Sequence, residues 1–205
     1  VCSSDLVPFR ADMPDIVMQA LIKKSGLDIK NDFKLQYVAT PVDAMQMLIL
    51  RRADHALLAE PAISIALRKT GSFPVKLIAP DLYRSINLQE EWGRLYKIEA
   101  KIPQAGLAII GDTNGKEELI SKVLAEYDKS LAWYKNNKEE ASKLVVKTLP
   151  MLEEKGLADS IEHVRFENIN AINSKKDLEF FFDILMQNDS KLIGGKLPNE
   201  DFYYK

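Results

Sequence analysis

The chain has 205 residues, 46% hydrophobic and 28% charged, with a formal net charge of −2, the composition of an ordinary globular protein with no electrostatic footprint for nucleic acid or an anionic membrane. The longest apolar run, "AMQMLIL" at 44–50, is far too short for a membrane span. A single cysteine, Cys2, excludes an internal disulfide framework, and two histidines, His55 and His163, leave little for a His-rich metal site or a Ser-His hydrolase.

The opening "VCSSDL" has no initiator Met, no basic n-region and no signal-type apolar stretch. It matches the translation of a common sequencing-adapter run. Residues 1–6 are therefore expected to be a non-native segment, the alternative being a mis-assigned start in a genuine sequence. The native protein is expected to continue upstream.

Val7-Pro8-Phe9 reads as a strand end. "DMPDIVMQALIKKSG" then carries Met13, Ile16, Val17, Ala20 and Leu21 at helical spacing, with Asp12 as N-cap, Pro14 in the first turn and Gly26 as the stop. "DFKLQYVA" (32–39) alternates like a strand. "TPVDAMQMLILRR" (40–52) predicts a helix capped by Thr40, with Pro41 at its first position and Asp43 in its first turn. "HALLA" (55–59) predicts a strand, 61–69 a helix, and "FPVKLIAP" (73–80) another strand. Strands alternating with helices through short turns give an α/β class with a mainly parallel sheet. The middle of the chain predicts a short helix around "LQEEWGRLY", a loop at "KIPQAG" and a strand at 107–110. Beyond 113 the pattern is helical. One stripe runs from Leu119 to Tyr134, and further helices are predicted at 137–149, 157–166 and along "KKDLEFFFDILMQN". The terminal Phe202-Tyr203-Tyr204 cluster is expected to dock on the body of the protein.

Three predicted strands end in similar turns: Arg10 to Pro14, Thr40-Pro41, and Glu60-Pro61. In a parallel sheet those ends share one edge, where helix N-termini offer N–H groups and partial positive charge to a carboxylate, sulfonate or phosphate. Arg10 would add a bidentate hold on an anion. Plain helix capping accounts for the same residues, and both readings stand. Glu60 has the stronger case, because it follows four apolar residues and opens the rim of the cleft. His55 and His163 read as structural, Glu90-Glu91 and Glu139-Glu140 as solvated helix surface, and Trp92 with Tyr96 as packing. Nucleotide-loop, zinc-protease and nucleophile-elbow motifs are missing.

Four stretches, "PFRADMPDIVMQALIKKSGLD", "LQYVATPVDAMQMLILRRADHALLAEPAISIAL", "IPQAGLAI" and "IGGKLPNEDFYY", carry a family likeness. In this order the chain resembles the substrate-binding proteins of ABC importers of the nitrate/sulfonate/taurine type, the NMT1/THI5-like group. The Glu60-Pro61 element after Arg52-Ala53-Asp54 is the most telling piece, and "SLAWYKNNKEEASKLVVK" resembles the family's later helical segment.

The resemblance implies an incomplete type II periplasmic-binding-protein-like fold. Residues 7–112 would form the second, ligand-binding lobe, and residues 113–205 would pack back towards a first lobe lying upstream. It implies binding by lobe closure without catalysis or cofactor, and delivery of a small-molecule ligand to ABC permease subunits. Localisation would be periplasmic or lipid-anchored, with membrane contact only through an upstream anchor. The ligand-facing residues it implies are Phe9, Arg10, Asp12, Met13, Thr40, Glu60, Pro61 and Gln104. Two alternatives share the likeness: a thiamine-pyrimidine biosynthesis enzyme, against which the lack of a cysteine-rich motif argues, and the sensor domain of a transcription regulator. An upstream signal peptide or helix-turn-helix would separate the importer from the regulator.

Overall fold

Leu6 and Val7 are each 1% exposed and sit in the middle strand of a small sheet. The computed structural model describes residues 4–204. Strand β1 (Asp5–Pro8) pairs in parallel with β2 (Leu35–Val38), from Asp5 opposite Leu35 to Pro8 opposite Val38. On its other side β1 pairs in parallel with β3 (His55–Ala56), Asp5 opposite His55 and Leu6 opposite Ala56. The order is β2-β1-β3. Leu6 lies inside the segment expected to be non-native, and it is among the best-buried residues of the sheet.

Helix α1 (Met13–Lys24) follows β1, capped by the Asp12 carboxylate, which accepts from the Met13 amide at 2.8 Å. It stops at Ser25-Gly26. Gly26 takes a φ of 77°, the left-handed conformation that favours glycine just beyond a helix. Helix α2 (Pro41–Ile49) follows β2 and is capped by Thr40, whose Oγ1 accepts from the Asp43 amide at 3.1 Å. Helix α3 (Ala62–Gly71) follows β3. The others are α4 (Leu88–Tyr96), α5 (Glu117–Asn136), α6 (Lys138–Thr148), α7 (Glu154–Ser160) and α8 (Ala171–Asn188).

The core is a row of three apolar clusters. Val17 and Leu21 of α1 pack against Trp92 of α4 and Phe181 and Ile184 of α8. Leu6, Ala44 and Ala53 join the sheet to α2. Met45, Ile65 and Ala66 join α2 to α3, and α7 in turn packs on α3 and α6. Trp92 and Tyr96 have ring centroids 4.6 Å apart inside the first cluster, so the pair serves packing. Tyr203, 2% exposed, docks near α8 while Phe202 stays exposed.

Several predicted elements differ. The strand expected at 73–80 is instead a short 3₁₀ turn, Val75–Leu77, with Phe73, Leu77 and Ile78 exposed. Residues 107–110 take no regular structure, and Ile110 is 95% exposed. The five-residue strand at 55–59 shrinks to two residues, although the Leu57 amide still donates to the Leu6 carbonyl at 2.8 Å. A strand exists only where another backbone pairs with it, and among the described residues no ladder runs along 73–80, 107–110 or 58–59. The helix expected at 157–166 starts earlier, at Glu154, and gives way to a 3₁₀ turn at Ile161–His163. The α5 stripe is only partly covered: Ile120 is buried, but Leu119, Val123 and Tyr127 are exposed.

Candidate functional site

Because all three strands are parallel, their carboxyl ends lie on one edge, and the three turns leave from that edge. In the first turn the chain reverses sharply: Phe9 and Ala11 both take left-handed φ values, 54° and 62°. The Phe9 amide donates to the Val38 carbonyl at 3.1 Å, and the Asp12 amide to the Phe9 carbonyl at 3.4 Å. Phe9 is exposed. The Arg10 guanidinium lies over the Tyr37 ring, 5.3 Å from its centroid, and makes no hydrogen bond among the described residues. Met13 is half-buried against the α1–α4–α8 cluster and faces the core there.

The residue that shapes this turn is one the sequence reading passed over. Asp15 is 0% exposed. One carboxylate oxygen accepts the Ala11 amide at 2.8 Å; the other accepts Gln19 Nε2 at 2.8 Å and the Tyr37 hydroxyl at 3.2 Å. Burial, and then the neighbouring Asp15 charge, pushes the Tyr37 phenol above its usual range. A signal for Asp15 was present: an acid three residues after the N-cap commonly reaches back to an amide at the helix start.

The second turn is framed by Thr40, whose hydroxyl also donates to the Asp43 carboxylate at 2.8 Å. In the third turn, Glu60 is held by internal partners. Its carboxylate accepts the Ser64 amide at 3.1 Å and Arg84 Nη2 at 2.6 Å, and 9% of its side chain is accessible. Arg84 Nη2 also donates to Ser64 Oγ at 2.8 Å. Glu60 thus caps α3 and anchors the chain at Arg84. Pro61 occupies the N-cap position, its carbonyl accepting the Ile65 amide at 3.0 Å. Arg84 is a partner that local pattern could not reveal, since it lies 24 residues away. Gln104 is exposed in the irregular segment after α4.

Each helix therefore spends one first-turn amide on its own cap: Met13 on Asp12, Asp43 on Thr40 and Ser64 on Glu60. A helix start has up to four such donors. The first-turn amides of Asp15, Val42 and Ile63 donate to no carbonyl or side-chain oxygen among the described residues. The edge combines these N–H groups, the positive ends of three helix dipoles and the Arg10 guanidinium, an arrangement suited to a small anionic group.

Comparison with protein-family models and with curated proteins finds no match. Among solved structures, the chain is similar to a crystal structure of an ABC transporter from Parabacteroides distasonis, with a TM-score of 0.69 and 22% identity over 99% of this chain. The likeness is one of fold. This chain spans 66% of that protein's length, just under two thirds.

Proposed function

We propose that this chain is the ligand-binding lobe, with its C-terminal helices, of an extracytoplasmic solute-binding protein serving an ABC importer of the NMT1/THI5-like kind. The observation that carries the reading is the convergence of three strand-to-helix turns on one edge of a parallel sheet. The ABC-transporter-related fold of the structural neighbour supports it. In such an arrangement an anionic or polar ligand meets the first-turn amides and Arg10, while Phe9 and Val42 provide exposed apolar contact. The Glu60–Arg84 pair frames the third turn. No catalytic residue or cofactor is proposed, and the work done is binding.

The opposing wall of the cleft would come from a first lobe. Closure then gains free energy from contacts made only when both lobes touch the ligand. The uncovered third of the neighbour's length and the exposed face of α5 (Leu119, Val123, Tyr127) support a partner lobe of this kind. The closed form would hand its ligand to permease subunits at the outer face of the membrane, either free in the periplasm or held by a lipid anchor.

The test is a thermal-shift screen of the protein expressed from its complete gene, against small carboxylates, sulfonates, phosphate and heterocyclic bases. A ligand that binds only the native state raises the midpoint by mass action. At least one class is expected to do so, and Arg10→Ala is expected to weaken the response to an anion at least tenfold. No stabilisation by any class, or full retention in Arg10→Ala, would refute the reading.

A further inference from the structure

A second feature adjoins the third turn, on the flank of α3. Between α3 and the α7–Ile161–His163 segment is a recess of about 290 Å³, open to solvent. Ser64, Leu67 and Arg68 of α3, together with Arg84, form one part of its lining. Asp159, Glu162 and His163 form the other. A water molecule's share of volume is about 30 Å³, so the recess has room for a ligand of roughly ten non-hydrogen atoms. Leu67 is the sole aliphatic residue in the lining, so the occupant is polar over most of its surface.

The charges are balanced, and one pair of opposite sign, Arg68 and Asp159, is in direct contact. Arg84 and Arg68 bring guanidinium groups from the α3 side, and Asp159 and Glu162 bring carboxylates from the α7 side. Arg68 Nη1 bonds Asp159 Oδ2 at 2.6 Å, Arg84 bonds Glu60, and Glu162 bonds Lys138 of α6. Three cations thus meet three anions, so a ligand of net charge would enter a neutral site and leave its own charge uncompensated. The internal bonds also leave capacity on both sides. Among the described residues, Arg68 and Arg84 each bond through one terminal nitrogen, while Asp159 Oδ1 and Glu162 Oε2 have no donor. His163 makes no hydrogen bond there and can serve either pole of a guest. Ser64, itself buried, fixes Arg84 in place.

We propose that this recess binds a small zwitterion of the α-amino-acid type, its carboxylate on the free guanidinium N–H groups of Arg68 and Arg84 and its ammonium on Asp159 and Glu162. The site is built wholly within this chain and does not depend on lobe closure. It shares Ser64 and Arg84 with the third turn, so the Leu67→Trp variant, which lies outside that turn, is what separates its failure from that of the function proposed for the strand edge.

The experiment is an amide chemical-shift titration of the full chain with L-glutamine, run beside acetate and methylammonium as single-charge controls. Saturable shifts at millimolar L-glutamine, centred on Ser64, Arg68, Asp159 and His163, are expected, with much weaker effects from either control. Arg84→Gln is expected to raise the dissociation constant at least tenfold. Leu67→Trp, which fills the recess without touching a charge, should abolish the shifts while the rest of the spectrum remains that of the folded protein. No saturable shift at these residues, acetate acting as strongly as L-glutamine, or undiminished binding to a folded Leu67→Trp variant would overturn the proposal.

Discussion

Asp15 illustrates how one buried carboxylate can set a turn. Its two oxygens accept from a backbone amide, a side-chain amide and a phenol, and it is fully sequestered from water. Replacing it with alanine removes the acceptor of three part-buried hydrogen bonds, each worth about 0.5–1.5 kcal/mol net. Asp15→Ala is expected to lower the urea-derived unfolding free energy by about 3 kcal/mol, and Asp15→Asn by clearly less, since one carbonyl acceptor remains. A loss within about 0.5 kcal/mol of wild type for the alanine variant would contradict the assignment. Tyr37 gives a pH signature for the same cluster. Its folded-state pKa is raised, so its contribution to stability is fully present below the ordinary tyrosine value and is lost as pH rises through the folded value. Denaturation curves on the alkaline side should show this loss in wild type and not in Tyr37→Phe. Identical alkaline profiles would show that the phenol is not coupled to folding.

At the scale of elements, close approach between helices is the controlling feature. Gly156 sits on α7 where a Cβ would come within 2.7 Å of Ile65 Cγ1 and 2.9 Å of the Ile65 backbone. Gly156→Ala must push α7 from α3, and a cost of about 1–3 kcal/mol is expected, as for other overpacked sites. A Tm unchanged from wild type would mean the two helices have slack that the structure does not show. The same scale explains what was readable from sequence. Asp12 and Thr40 were legible as caps because capping is local: residue, first turn and proline lie within four positions. The start of α7 was missed by three residues because Glu153, which caps the Lys155 and Gly156 amides, does not interrupt an apolar stripe. Strands at 73–80 and 107–110 were over-read because alternation records propensity, while a ladder needs a neighbour. Glu60 was singled out as a ligand-facing rim residue, whereas its carboxylate is held by the Ser64 amide and by Arg84, a partner that could be found only in three dimensions.

For the whole molecule, the distribution of apolar surface carries the main consequence. Phe73, Leu77, Ile78, Tyr83 and Ile86 are exposed in one segment and Leu107, Ile109 and Ile110 in another, in addition to the α5 face. Soluble monomers rarely leave so much large apolar side chain uncovered. If the proposed first lobe covers these segments, this chain alone should bind a hydrophobic dye under native conditions and self-associate on concentration, while the product of the complete gene should do neither. Equal dye binding by both would remove the argument for a covering lobe.

The central claim is that the three turns at one sheet edge grip the ligand. Hydrogen exchange on the complete-gene protein tests this most directly, with and without the compound that gives the largest thermal shift. Ligand is predicted to slow exchange at 9–15, 40–43 and 60–64 together. Protection confined to other segments, with those three turns exchanging as in the free protein, would contradict the account.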